Sequence, residues 1–362
     1  MTPDLPDMAK YRVLVTGGAG FIGSALVRYL VNAGADVLNI DALTYAGDLS
    51  TVAAVADRPN YSFRQADIRD ASAMAAAFGA FRPGLLFHLA AESHVDRSID
   101  GPAAFIDTNV VGTATLLDAA LGYWKTLSGP DRDTFRFVHV STDEVYGALG
   151  TEGCFTETSP HLPNSPYAAS KSAADGLARA WNRTYGLPVL ISNCSNNYGP
   201  WQHPEKLIPT VIAAGLSGRP IPVYGDGSNV RDWLHVDDHV RALIRIACQG
   251  EVGETYLIGG DAERSNLQTV QSICRALDRL APDTGGDHAR LISHVADRPG
   301  HDFRYAVDHG RLTAATGWQP EHDFDEGIAA TVTWYLDNRD WWQSAESGRL
   351  GLGRTAQTGG GR

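Results

Sequence analysis

Cysteine is scarce in this chain: four residues in 362, at Cys154, Cys194, Cys248 and Cys274. None forms a Cys-x-x-Cys pair, so neither a zinc site nor a disulfide framework is indicated. Thiols in a reducing cytoplasm are the expectation. Positive charge is short as well, with 30 Lys plus Arg against 42 Asp plus Glu and a net charge of −12. Neutralising a nucleic-acid backbone takes an excess of cations, which argues against a general nucleic-acid binder. A local basic pocket for one phosphorylated ligand stays open. Long hydrophobic runs are missing too: nothing approaches the ~18 apolar residues of a membrane span. The opening MTPDLPDMAKY carries Asp and Pro where a secretory leader needs an apolar stretch. The sequons at Asn182 and Asn193 are therefore read as chance matches, and a soluble, cytoplasmic, metal-free protein is expected.

Glycine, by contrast, is abundant, with 38 of 362 residues against a usual ~7%. Tight turns and close backbone–ligand contacts are where such an excess goes. At ~150 residues per domain the length predicts two domains, or one large α/β unit with a subdomain.

Short apolar β-branched runs at 12–16, 36–40, 61–64, 85–89, 135–141 and 189–193 read as strands. Helical periodicity separates them: from Phe21 to a stop at Gly34, over 71–81, 103–124 and 167–185. Strand and helix alternating through the first ~195 residues define βαβ units and a Rossmann-type, doubly wound parallel sheet. Residues 195–231, with Pro200, Pro204, Pro209, Pro220 and Pro222, read as a loop-rich, substrate-facing region. A helix over 236–248 and a strand at 255–258 return to the sheet, and 265–345 is mainly helical. The expected division is a dinucleotide-binding domain over 10–198 with the return at 232–258. A smaller, mainly helical ligand domain takes 199–231 and 259–345, and the tail 346–362 lacks the apolar content to pack.

Gly18-Ala19-Gly20-Phe21-Ile22-Gly23 satisfies G-x-G-x-x-G directly after a predicted strand and at the opening of a helix, the context that gives the motif meaning. Gly17 adds the earlier turn glycine. Glycines let the backbone approach a pyrophosphate, and the helix N-terminus offers free N–H groups. The second strand ends at Asp41, whose carboxylate suits ribose hydroxyls and repels a 2′-phosphate. Ala42 and Leu43 supply no arginine to offset it, so the cofactor read here is NAD rather than NADP.

Tyr167 and Lys171 form Y-x-x-x-K, which a helix places on one face. A lysine there is expected to lower the tyrosine's pKa, jointly with an oxidised nicotinamide, so that the phenolate serves as base for an alcohol being oxidised. The segment Ser141-Thr142-Asp143-Glu144-Val145-Tyr146-Gly147 stands at the C-terminal end of the fifth strand, where parallel sheets place ligands. Two adjacent carboxyls there read as an acid/base pair: one removes a proton next to a ketone, the other protonates a leaving hydroxyl.

These blocks, with D-x-L-T-Y-A-G (41–47), LAAESHVDRSI (89–99), NCSNNYGPWQHPEKLIP (193–209), VRDWLHVDDH (230–239) and DRPGHDFRY (297–305), span most of the chain. Together they resemble the extended short-chain dehydrogenase/reductases and, within them, the nucleotide-sugar 4,6-dehydratases that act on dTDP-glucose. The resemblance implies a lyase. Tyr167 would be the base at the sugar's 4-hydroxyl, Lys171 its partner on the nicotinamide ribose, and Thr142 a hydrogen-bond partner of the 4-oxygen. Glu144 would take the carbon-5 proton and Asp143 would protonate the departing 6-hydroxyl. For NAD it implicates Phe21, Ile22, Asp41, Leu43, Thr44, Asp67, Ile68, Leu89, Ala90, Ala91, Thr108 and Asn197. For the nucleotide sugar it implicates Ser93, Asn196, Lys206, Leu207, Arg231, Asn266, Arg298 and His301, the two arginines suiting a diphosphate. A homodimer is implied as well, since related enzymes pair the 103–124 and 167–185 helices, here carrying Leu116, Leu117, Leu121, Leu177 and Trp181.

An epimerase or decarboxylase of the same superfamily leaves the Asp-Glu pair unmotivated, and GDP-mannose dehydratases typically read Thr-Ser-Glu there. UDP-glucose as substrate is harder to exclude, because a methyl-sized contact discriminates by only ~1–3 kcal/mol. A non-catalytic NAD-binding regulator has no use for the Tyr, Lys and carboxyl groups together.

Overall fold

The computed structural model describes residues 5–297 and 300–346. Twelve strands follow in chain order: β1 (Arg12–Thr16), β2 (Asp36–Asp41), β3 (Tyr61–Gln65), β4 (Leu85–His88), β5 (Arg136–Thr142), β6 (Val189–Cys194), β7 (Asn196–Tyr198), β8 (Ile221–Tyr224), β9 (Val230–His235), β10 (Thr255–Ile258), β11 (Glu263–Ser265) and β12 (Ile292–Val295). Seven form one sheet in the order β10-β6-β5-β4-β1-β2-β3, all parallel. β1 lies between β2 and β4, so the chain's direction of travel reverses there, and the crevice at the strand C-termini opens at that point.

The strand sequences explain the sheet. Val13, Leu14 and Val15, like Leu85, Leu86 and Phe87, are fully or almost fully buried, as strands covered on both faces require. One face packs the Phe21–Asn32 and Val236–Gln249 helices through Leu26, Leu30, Val240, Leu243 and Ile244. The other packs Ala71–Phe81, Thr113–Thr126 and Pro166–Tyr185 through Phe78, Leu116, Leu117 and Ala178. No helix among the described residues is long and apolar enough to cross a membrane.

Two sequence expectations change here. The 103–124 segment is not one continuous α-helix: Pro102–Phe105 and Thr113–Thr126 flank a π-helical stretch, Ile106–Gly112. A Cβ on Gly112 would meet Ile68 Cδ1 at 2.7 Å, so the backbone packs close there. Asn109, buried in the same stretch, exchanges two hydrogen bonds with the Glu92 backbone, at 2.8 and 3.0 Å. Residues 195–231 are also more regular than their prolines suggest. The Leu207–Leu216 helix accommodates Pro209 because that residue falls in its first turn, where the amide has no intrahelical partner. Pro222 sits in the two-stranded pair β8–β12, which tolerates a missing N–H.

A second sheet, β11-β9-β7, and the helices Leu207–Leu216, Asn266–Leu280 and Phe324–Asp337 enclose another apolar cluster, centred on Ile208, Ile212, Trp233, Ile273, Leu277 and Val332. Leu116 and Leu117 are wholly used by the core and Leu121 is buried too, so those residues are not surface. Exposed apolar side chains nearby are Ile106, Val111 and Tyr185. The expected loose tail lies, beyond Glu346, outside the described residues.

Candidate active site

A cleft of about 430 Å³ runs across the C-terminal ends of the parallel strands. Its floor at one end is the turn after β1. Gly17 has φ +75°, and a Cβ there would stand 2.6 Å from the Ala90 amide nitrogen, so the turn demands glycine for internal reasons. Gly20 differs: its Cβ would meet nothing nearer than the Gly17 carbonyl oxygen at 3.4 Å. Its place as helix N-cap suits a glycine, and the open space over it leaves room for a ligand to press against the backbone. As N-cap of Phe21–Asn32 it offers no side-chain oxygen, and the first turn has no acidic residue. The helix-start amides are left for an anion. Gly23 closes the turn against Gly17.

Asp41, buried at the end of β2, accepts the Ala19 amide at 2.9 Å on one oxygen and the Leu43 amide at 2.8 Å on the other. Each oxygen keeps a lone pair for a hydroxyl. Leu43 holds a left-handed backbone, φ 55°, behind this contact and is not itself on the cleft wall. Thr44, Asp67 with its Arg69 partner, Ile68, Leu89, Ala90, Ala91 and Thr108 line the same end. These groups fit a dinucleotide with an unphosphorylated adenosine ribose, since Arg69, the arginine at this end, is paired with Asp67 and Asp41 itself is a carboxylate.

At the other end the chemistry-bearing groups gather from three elements. Thr142 ends β5. Its hydroxyl donates to Asp143 Oδ1 at 3.3 Å, accepts the Glu144 amide at 3.3 Å and stands close enough to Tyr167 to act on its phenol. Ser165 caps the Pro166–Tyr185 helix through its Oγ, which accepts the Ala168 amide at 3.1 Å and fixes the turn that carries Tyr167. One turn on, buried Lys171 donates to the Val140 carbonyl at 2.8 Å. Glu144, Tyr167, Lys171, Ser93, Asn196, Asn197 and Lys206 all face the cleft.

The two carboxyls of the pair stand in different surroundings. Asp143 is 1% exposed with Oδ2 unpartnered. Burial, then the negative charges of Glu144 and Asp232, push its carboxyl well above the usual carboxylate range, against the pull of Arg231. Glu144 is only partly buried. A buried carboxyl pushed upward beside a more exposed one is the arrangement that separates proton donor from proton acceptor.

Among the side chains themselves, burial, then the charges of Glu144, Cys194 and Asp143, raise the Tyr167 phenol well above the ordinary value, and Thr142 lowers it. Lys171, one turn along the same helix, donates one of its ammonium protons to the Val140 carbonyl.

The remaining residues expected to touch ligand sit further out. Lys206 spans to the Ser93 carbonyl at 2.9 Å, and Leu207 begins the helix behind it. Arg231, 5% exposed, lies 4.4 Å from the Tyr305 ring centre and donates to the Val230 and Asp302 carbonyls at 2.7 and 3.0 Å. Asn266 is buried at the start of Asn266–Leu280, and His301 holds Asp297 at 2.7 Å. None of Leu207, Arg231, Asn266 and His301 lines the cleft, and Arg298 lies outside the described residues.

Two contributors escaped the sequence. Asn109, besides holding Glu92, donates to Ser170 Oγ at 2.9 Å, next to Lys171. A lone asparagine in a helical stretch gives no signal. Trp341 reaches the cleft from the far end of the chain, its indole donating to Asp48 at 2.9 Å.

The fold and this cleft define an extended short-chain dehydrogenase/reductase of the nucleotide-sugar type. The family described as GDP-mannose 4,6 dehydratase matches residues 14–331. A dTDP-glucose 4,6-dehydratase of Neisseria meningitidis is 53% identical over 353 residues, covering 95% of this chain and 99% of that one. The Escherichia coli K12 dTDP-glucose 4,6-dehydratase 1 is 52% identical over 93% of this chain and 96% of its own. Among solved structures, a dTDP-glucose 4,6-dehydratase of Streptomyces venezuelae with NAD and dTDP bound is 47% identical, with a TM-score of 0.84 over 92% of this chain and 99% of that one. The chain belongs to this dehydratase family and, within it, to the dTDP-glucose 4,6-dehydratases.

Proposed function

We propose that the protein converts dTDP-glucose to dTDP-4-keto-6-deoxyglucose. The observation that carries the reading is Asp143: a buried carboxyl, adjacent to both Thr142 and Glu144, that burial and neighbouring negative charge push toward its protonated form. Oxidation at carbon 4 needs no such acid, and expulsion of a 6-hydroxyl does. NAD in the cleft serves as hydride acceptor for carbon 4 and afterwards as hydride donor to carbon 6, so the net reaction is loss of water. Tyr167 takes the 4-hydroxyl proton, with Thr142 orienting the oxygen and Lys171 holding the nicotinamide ribose. The 4-ketone acidifies carbon 5, Glu144 removes that proton, Asp143 donates to the departing 6-hydroxyl so that it leaves as water, and a proton returns to carbon 5 as hydride is delivered to carbon 6. The gain expected from each acid–base step is roughly 10²–10⁴-fold.

The division into a NAD-binding unit (10–198 with 232–258) and a nucleotide-sugar unit (199–231 and 259–345) is part of the proposal. The seven-stranded sheet and the apolar cluster around Ile208, Ile273 and Val332 support it, while β7 pairs with β9 in the second sheet and Leu312 and Trp318 pack into the first cluster, so the two units interlock at these places. Arg231 and Arg298 would take the diphosphate, Arg231 by exchanging its backbone carbonyls for phosphate oxygens. We place the enzyme in the cytoplasm as a homodimer, with Ile106, Val111 and Tyr185 as the exposed apolar groups on the relevant helices.

Purified protein is to be given dTDP-glucose, UDP-glucose and GDP-mannose side by side, with the 4-keto-6-deoxy product read by its ultraviolet absorbance in alkali. Product from dTDP-glucose with the highest kcat/KM is expected. Faster turnover of UDP-glucose, or an epimerised sugar in place of the keto product, overturns the reading.

A further inference from the structure

The Pro166–Tyr185 helix carries a third ionisable residue in register with Tyr167 and Lys171. Asp175 follows Lys171 by one turn, so the three lie along one face. Its side chain is completely buried. One oxygen accepts from His139 Nε2 at 3.1 Å and the other from Asn193 Nδ2 at 3.0 Å. The same Asn193 amide reaches the Thr142 carbonyl at 3.1 Å. The carboxylate is therefore one hydrogen-bonded residue away from the main chain that aims the Thr142 hydroxyl.

A buried carboxylate is costly without a cation, and so is a buried ammonium without an anion. The groups facing Lys171 are His88 and His139 from β4 and β5, Cys194 from the end of β6, and Asp175. Burial keeps both histidines neutral and holds the Cys194 thiol up at about 12. Around Asp175 stand His139, Tyr146, His161, Arg179 and Lys171. Burial raises the Tyr146 phenol and keeps His161 neutral. Among these neighbours Asp175, one helical turn on, is the one anion, and it acts on the Lys171 ammonium through space while the Nζ contact itself is the Val140 carbonyl. The Val140 carbonyl takes an ammonium proton but brings no countercharge. His139 Nδ1 has no partner, which fits a neutral ring donating from Nε2.

The geometry points to Asp175 as a positioning residue: its carboxylate is the counter-ion that keeps Lys171 charged inside the protein and, through Asn193, it fixes the Thr142 backbone. The inference rests on the roles proposed above for Lys171 and Thr142, but two of its readouts do not need turnover.

The first is NAD affinity, measured by calorimetric titration from about pH 6 to 10, where lysine protonation is at stake. In Asp175→Asn the alkaline loss of affinity is expected to begin about one pH unit lower than in the parent, because Lys171 gives up its proton more readily. Asn193→Ser keeps the carboxylate and should leave that limb in place. It should lower kcat for dTDP-glucose about tenfold through the looser Thr142, with little change in KM. An unmoved alkaline limb in Asp175→Asn overturns the inference. The second readout is thermal stability, which also serves if Asp175→Asn alone folds poorly. Lys171→Met strands the carboxylate and should lower Tm, and adding Asp175→Asn should raise it again. Additive losses in the double variant would make Asp175 an ordinary core residue. If the parent protein converts no nucleotide sugar, the proposed function falls while both measurements still decide the role of Asp175.

Discussion

The two ends of the cleft are built in different ways. The dinucleotide end is organised around a short stretch of main chain: Gly17 to Gly23, then Asp41 at the next strand's end, whose carboxylate accepts two main-chain amides, with Asp67, Leu89 to Ala91 and Thr108 completing the wall. The reacting end draws on β5, the Pro166–Tyr185 helix and β6, and its properties come from burial and mutual charge. A site made of backbone geometry announces itself by glycines at fixed spacing. A site made of electrostatic surroundings needs the whole fold before its protonation states exist.

Substitutions should separate the ends. The largest effect is expected from Tyr167→Phe, which removes the phenolic proton acceptor and keeps the ring. Turnover should fall by about 10⁴-fold, the upper range for a general base, and no reduced-nicotinamide absorbance should appear on mixing with dTDP-glucose. Accumulation of that absorbance would move the base to another residue.

Asp143→Asn should cost about 10²-fold in turnover while leaving oxidation at carbon 4 intact, so reduced nicotinamide should build up. The same variant tests the electrostatic half of the comparison. A carboxyl whose folded pKa is raised is protonated in the native state and ionised in the unfolded chain, so it withdraws stability as pH climbs from the unfolded value through the folded one. An amide does not titrate. The variant's Tm relative to the parent should therefore rise from acid toward neutral and alkaline pH. A difference that stays flat with pH would mean Asp143 is ionised in the folded protein.

At the dinucleotide end, Asp41→Asn should weaken NAD binding about 10- to 100-fold, the loss of a charge-assisted acceptor. Turnover at saturating NAD should stay close to the parent's. A drop in kcat as large as that of Asp143→Asn would show that the two ends do not act independently. The smallest effect belongs to Ser165→Ala, which removes the N-cap of the helix bearing Tyr167. About 1 kcal/mol of stability should be lost, read by denaturant titration, with kcat changed by less than about threefold. A larger kcat effect would make the cap part of the reacting end.

The legibility of individual residues follows the same division. Tyr167 and Lys171 are four apart on a helix, so their shared face was readable, and Asp41 was readable because it ends a strand beside a glycine turn. Asn109 was not, because its meaning comes from a π-helical stretch that turns it toward Glu92 and Ser170. Pro209 misled because a proline inside a helix's first turn looks in sequence like one that breaks it. Leu116 and Leu117 suggested a partner surface, yet the sheet behind them takes up their whole area.

By itself, then, the order of residues determined the alternation of strands and helices, the dinucleotide turn, the preference for an unphosphorylated ribose and the set of groups able to move protons. Each depends on local backbone geometry or on spacings of a few residues, which short-range sterics translate directly into structure. Only the tertiary structure decided which of the two carboxyls is buried and pushed upward, that Lys171 donates a proton to Val140, that burial and neighbouring charge raise the Tyr167 phenol, and that Asp175 and Asn193 stand behind them. Protonation is set by the dielectric and by charges within a few ångströms. Those neighbours, from β5, β6 and a helix far apart in sequence, come together only when the sheet is complete.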